Sequence, residues 1–99
     1  MIYSLTDKLK FEDNPQIEIN GKLLTVNADA ETVLQIMDIA ESAGEVEGLK
    51  KAIDLLFSKK DAQTIRSLKL NMTDFRTLME AAISLAVGDD PEDNSEGEE

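Results

Sequence analysis

Apolar residues alternate with polar ones between positions 16 and 26 and then recur every three or four positions up to position 88. The first pattern is typical of a β-hairpin and the second of amphipathic helices. We therefore predict an α+β fold in which one N-terminal hairpin packs against three to four helices. The hairpin is expected at about residues 16–26 and the helices at about residues 28–43, 45–58, 61–70 and 74–87, all within a single domain of residues 1–88.

The hairpin prediction rests on Asn20-Gly21, which stands between two runs rich in β-formers. Both residues tolerate the positive φ that a type I′ turn requires. With a two-residue turn, Ile19 faces Lys22 and Ile17 faces Leu24. An isolated hairpin is only marginally stable in water, so the helices are expected to cover its apolar face. That face comprises Ile17, Ile19, Leu24 and Val26.

Each predicted helix carries an apolar stripe and recognisable end signals. The expected N-cap of the first helix is Asn27 or Asp29. The expected N-caps of the third and fourth helices are Asp61 and Thr73, respectively. Gly44 is expected to end the first helix, and Gly88 to follow the last as a C′ glycine. The stripes include Val33, Ile36, Met37 and Ala40, then Val46, Leu49, Ile53, Leu56 and Phe57, then Ile65 and Leu68, and finally Phe75, Leu78, Met79, Ala82 and Ala86. Three methionines are interpreted as core filler: Met37, Met72 and Met79.

Residues 1–14 mix apolar and charged side chains and are compatible with either a strand or a loosely docked arm. The hairpin has two edges, and an exposed edge is a template for another chain. If Met1–Phe11 does not cover that edge, self-association or addition of a peptide strand is expected.

The composition argues against catalysis. The chain has no Cys and no His, which removes thiolate and zinc sites, Cys nucleophiles and the Ser–His–acid mechanism. The close carboxylate pairs lie in polar segments that are expected to be exposed, which argues against general acid–base chemistry: Glu12-Asp13, Glu45/Glu47 and Asp89-Asp90. The acidic stretch from Asp89 to Glu96 differs from a calcium loop because Pro91 interrupts it and no helix follows. We predict a protein that is not an enzyme and has no cofactor and no metal site.

The net charge of −11 is unevenly distributed. Seven acids and no base fall within residues 89–99, whereas residues 1–88 hold fourteen acids and ten bases. We predict a disordered acidic tail over residues 89–99, because Pro91 is its only apolar residue. A surface this negative argues against nucleic-acid and membrane partners. No apolar run approaches the roughly 20 residues of a membrane span, and Met1–Lys8 does not resemble a signal peptide.

The order of motifs resembles the small tail assembly chaperones of long-tailed, siphovirus-type phages and prophages of Gram-positive bacteria. The resemblance covers about residues 14–92. It is carried by Asn14-Pro15, the hairpin Ile17-Glu18-Ile19-Asn20-Gly21-Lys22, Leu55-Leu56-Phe57, Lys60-Asp61-Ala62, the spaced Ile65, Leu68 and Leu70, Thr73-Asp74-Phe75, and Ala86-Val87-Gly88-Asp89-Asp90-Pro91-Glu92.

This resemblance implies a cytoplasmic protein of the bacterial host that binds and solubilises the tape measure protein, recruits tail tube protein and is absent from the mature virion. It also implies that a longer form is made by ribosomal frameshifting in many members. The partner-binding residues are expected on the hairpin and in the acidic tail: Ile17, Ile19, Leu24, Val26, Asp89, Asp90, Glu92 and Asp93. A homo-oligomer is also expected. Two alternatives stay open: an acidic nucleic-acid mimic that inhibits a host DNA-binding protein, and a structural head–tail component.

Overall fold

The computed structural model describes residues 1–88 and has the predicted α+β architecture, an antiparallel hairpin followed by four helices. The strands are β1 (Gln16–Ile19) and β2 (Lys22–Thr25). The helices are α1 (Ala30–Ser42), α2 (Glu45–Leu56), α3 (Lys59–Ser67) and α4 (Met72–Val87). The tail predicted to be disordered, residues 89–99, lies outside the described residues.

The hairpin has the predicted turn and register. Asn20 and Gly21 adopt φ values of 52° and 80°, and Ile17 lies opposite Leu24. The Glu18 carboxylate accepts a hydrogen bond from the Gly21 backbone N–H at 2.6 Å. The turn is therefore specified by local chemistry, namely two residues that tolerate the left-handed region and one acceptor beside them.

The connection after β2 fastens the hairpin to the C-terminus of α2. Asn27 donates its backbone N–H to the Leu56 carbonyl at 2.7 Å and its side-chain Nδ2 to the Leu55 carbonyl at 2.9 Å. These carbonyls lie in the last turn of α2, where backbone carbonyls have no N–H partner within the helix. The Asp61 carboxylate of α3 accepts the Thr25 N–H at 3.0 Å, so α3 also holds β2.

The core lies between the inner face of the hairpin and the helices, with α2 packed against α1, α3 and α4. Burial of the apolar side chains in this core is the main favourable contribution to folding. Its largest fully buried members are Phe57, Leu24, Leu56, Ile65, Met79 and Val26.

The first helix boundary differs from the prediction at both ends. Asp29, one of the two predicted N-caps, caps the helix by accepting the Thr32 N–H, so α1 begins at Ala30 rather than at Ala28. Gly44 does not end α1 as a left-handed glycine. Its φ is −71° and it serves as the N-cap of α2, while Ala43 is already extended.

The predicted caps of the last two helices are wrong because better-placed acceptors precede them. Ser58 caps α3 by accepting the Asp61 N–H at 3.1 Å, and Asn71 caps α4 by accepting the Asp74 N–H at 2.8 Å. Asp61 is thereby left to bind β2, and Thr73 lies inside α4. Gly88 is left-handed, with φ 101°, and ends α4 as predicted.

The prediction of three buried methionines is confirmed only for Met79. Met37 and Met72 are exposed, as are Ala40 and Val46 of the predicted stripes. These residues lie where the neighbouring helices do not reach over them. The apolar periodicity therefore continues beyond the part of each helix that the core covers.

Candidate partner-binding surface

The structure separates the four hairpin residues that were expected to bind a partner. Leu24 and Val26 are fully buried and cannot contact another protein in this fold. Ile17 and Ile19 are half-buried and border a groove. The four acidic residues expected to take part, Asp89, Asp90, Glu92 and Asp93, lie outside the described residues.

The groove beside β1, which we call the β1–α4 groove, is lined by apolar side chains of the strand and of the α4 region. Its volume is about 370 Å³. Asp74 and Thr77 are the polar residues of its wall. The apolar lining consists of Ile17, Ile19, Leu70, Leu78 and Ala81.

The edge of β1 is open along this groove. In a hairpin with a two-residue turn, Ile17 and Ile19 bond to β2, so Gln16 and Glu18 direct their backbone groups outward. The hydrogen bond from the Val26 N–H to the Pro15 carbonyl, 2.8 Å long, agrees with this alternation. Within residues 1–88 the sheet has no third strand. The sequence left open whether residues 1–14 form a strand or a loosely docked arm. In the described structure this segment does not pair with the hairpin, and its one regular element is a 3-10 turn, Thr6–Lys8.

A second groove, the α2–α4 groove, lies between the two helices and has a volume of about 550 Å³. Its lining is mostly apolar, and two of these side chains, Val46 and Met72, are exposed. Both of them belong to the first turn of their helix. The apolar lining consists of Val46, Leu49, Ile53, Met72 and Phe75.

Ion pairs connect the helices around the α2–α4 groove. Arg66 of α3 pairs with Asp54 of α2 at 3.2 Å, and both residues line the groove. Arg76 of α4 pairs with Glu45 of α2 at 2.8 Å. All four side chains are more than two-fifths exposed, so these pairs contribute little to stability but give the surface a charged border. An apolar centre with a polar border is the usual anatomy of a protein-binding site.

Sequence reasoning missed the α2–α4 groove because it assigned Val46 and Met72 to the core. One signal was available for Val46, which follows directly on the predicted start of its helix, where a stripe projects beyond its neighbours. Met72 precedes the predicted start of the fourth helix at residue 74, so no such signal was available for it. Exposure of that kind depends on where the adjoining helices begin, and periodicity does not report that.

The carboxylate pairs do not converge on a common point in the described structure. Glu45 pairs with Arg76, whereas Glu47 pairs with Lys51 at 3.7 Å. Hydrogen bonds from Thr32 hold the pKa of Asp29 below its ordinary value, and this is the consequence of helix capping. Residues 1–88 contain no group of three acids that is placed to hold a metal ion.

A further cleft, of about 630 Å³, lies between the N-terminal segment and the end of α4. Glu12 and Asp13 border it as exposed side chains, and its third acid, Asp29, caps α1. Charged and polar residues make up half of its lining, so it resembles a binding site for apolar partners less than the two grooves do.

None of the helices in residues 1–88 combines the length and apolarity needed to cross a membrane. Comparison with protein-family models, with curated proteins and with solved structures finds no match to this chain. The two grooves are thus the structural features that bear on function.

Proposed function

We propose that this chain is a tail assembly chaperone that binds and solubilises the tape measure protein of a long-tailed phage or prophage and recruits tail tube subunits. The observation that supports this most directly is the α2–α4 groove, an apolar surface left open by the chain's own core. The sequence resemblance suggests which partner occupies it. The proposed place of action is the cytoplasm of the bacterial host, before the virion is complete.

The dimensions of the groove suit a helical partner. Val46, Leu49 and Ile53 follow one another at helical spacing along α2, so they line a stretch of about 10 Å, or two helical turns. An amphipathic helix docks into such a groove with apolar anchors three or four positions apart. The family resemblance implies a tape measure protein as the partner, which is long and helical. The apolar stripes of its helices would supply such anchors.

The charge of the chain suits the same role. A net charge of −11 keeps a complex with an aggregation-prone partner in solution, because like-charged particles repel one another. The border of the groove contributes cations as well as anions, namely Lys50 and Arg66 beside Asp54. A partner helix with acidic residues flanking its apolar stripe would therefore bind without like-charge repulsion at these two cations.

Co-expression with the tape measure protein of the same genome tests the proposal. We expect the partner to become soluble and to co-purify with the chain. Val46→Asp places a charge in the groove and should leave the partner insoluble. Leu34→Asp is the matched control, because Leu34 lies on α1 outside the groove and both side chains are 64% exposed.

Two results would overturn the proposal. The first is a partner that is equally insoluble with and without the unmodified chain. The second comes from mass spectrometry of purified particles: stoichiometric presence of the chain would identify a structural head–tail component, whereas a chaperone is absent.

A further inference from the structure

We propose that two copies of this chain exchange their N-terminal arms, residues 1–13, each arm adding as a strand to the open edge of β1 in the other copy. This proposal does not depend on the tail-assembly function. The occupant of the β1–α4 groove is then a second copy of the same chain.

The arm leaves an unusual amount of apolar surface in water. It pairs with no strand among residues 1–88, and its one regular element there is a 3-10 turn, Thr6–Lys8. So many large apolar side chains exposed within thirteen residues exceed the single scattered exposures that are normal on a protein surface, and they indicate an interaction site. Its six large exposed apolar side chains are Met1, Ile2, Tyr3, Leu5, Leu9 and Phe11.

The arm matches the edge in its side-chain pattern. Leu9 is extended and Phe11 follows two positions later, so in a strand both point to one face. In the antiparallel register proposed here, Leu9 lies opposite Ile19. Phe11 lies opposite Ile17. Both pairs are of the non-hydrogen-bonded type, in which side chains approach most closely, and both lie on the face that lines the β1–α4 groove.

The arm also matches the edge in charge. The same register places Lys10 opposite Glu18, the residue whose backbone groups point outward from β1. Opposite charges directly across a strand pair stabilise it, and like charges destabilise it. Lys10 and Glu18 are both exposed in the described structure and both point away from the groove in the paired strands.

The arm of the same chain is poorly placed to fold back onto β1. To do so the chain would have to reverse within Asp13–Pro15. The Pro15 carbonyl accepts the Val26 N–H at 2.8 Å, and the Asn14 side chain accepts the Ala28 N–H at 3.2 Å. These two bonds hold the chain beside the start of α1, so the edge is left to the arm of another copy.

Light scattering after size-exclusion chromatography of the full chain at physiological salt is the first test. We expect a dimer whose dissociation constant rises at least about tenfold in the double variant Leu9→Ser/Phe11→Ser. The control is Leu23→Ser, which removes an exposed apolar side chain from the opposite face of the hairpin. A monomer at every concentration, or equal dissociation constants for the double variant and the unmodified chain, would overturn the proposal.

Engineered cysteines test the register and distinguish exchange from folding back. The chain has no cysteine of its own, so introduced thiols are the only ones present. When Phe11→Cys and Ile17→Cys proteins are mixed in a glutathione buffer, we expect a mixed disulfide dimer, because non-hydrogen-bonded strand pairs lie within disulfide reach. Its yield should exceed that of Phe11→Cys mixed with Leu23→Cys by about tenfold or more. Equal yields would overturn the proposal, as would an intrachain disulfide in a monomeric Phe11→Cys/Ile17→Cys double variant.

Discussion

Alanine substitutions at Met72 and Met79 remove the same atoms from two positions on α4 that differ in exposure. Met79 is 0% exposed and Met72 is 47% exposed. Truncation of a fully buried methionine costs about 2–5 kcal/mol of unfolding free energy, because it loses transfer free energy and leaves a cavity. Met72 is only about half-buried, so its truncation loses about half of the 1.5–3 kcal/mol that full burial contributes. It leaves no new cavity, because the groove is already open to water. Alanine also favours helix slightly, so we expect a loss of at most about 1 kcal/mol there.

The same reasoning predicts the opposite order for partner binding. The half of the Met72 surface that remains exposed is available to a partner and is worth about 1 kcal/mol when buried. Met72→Ala should therefore weaken binding of the proposed partner, a tape measure helix, by roughly fivefold. Met79→Ala should leave the affinity of the folded fraction unchanged, because its side chain does not reach the surface.

Urea unfolding followed by circular dichroism gives the two stability changes, and isothermal titration with a helical segment of the tape measure protein gives the affinities. Equal losses of unfolding free energy would refute the reasoning, because they would mean that the groove is closed over Met72. An unchanged affinity in Met72→Ala, with Val46→Asp binding normally as well, would remove the α2–α4 groove from the interface.

Three further substitutions test individual parts of the fold. Asn27→Ala should lower the unfolding free energy by about 1–2 kcal/mol in urea, because the Leu55 carbonyl at the end of α2 loses its donor. Gly21→Ala should cost about 1 kcal/mol in the same assay, since φ is 80° and alanine tolerates the left-handed region poorly. Thr32→Val should raise the pKa of Asp29 towards 3.8 in an NMR titration, because the Thr32 hydroxyl is the main cause of its lowering. Since this folded-state pKa is depressed, the contribution of the cap is fully present above the ordinary pKa and is lost as the pH falls through the lower folded-state value.

The hairpin was predictable because its determinants are contiguous in the sequence. Asn20-Gly21 specifies the turn, and a two-residue turn fixes the register, so the pairing of Ile17 with Leu24 follows without reference to the rest of the chain. The existence of the four helices was predictable for a similar reason, since periodicity is a property of each segment alone.

The helix caps were predictable only in part because several candidates lie within a few residues of each start. Ser58 and Asp61 are both good N-cap residues, and local preference does not choose between them. The choice is made by a residue distant in sequence: the Asp61 carboxylate accepts the N–H of Thr25, 36 positions away. Asn27 behaves in the same way, since it bonds to the end of α2 and leaves the capping of α1 to Asp29.

The candidate partner-binding surface could not be predicted from the sequence of any single segment. The periodicity of α2 places Val46 and Ile53 on one face, yet only Ile53 is buried, because the neighbouring elements cover the C-terminal half of that face and not its start. A small domain can cover only part of each apolar stripe, since its elements have few neighbours. In such a chain the uncovered ends of the stripes are where a partner gains apolar contact without disturbing the core, and both grooves described here include the first turn of α4 or the residues just before it.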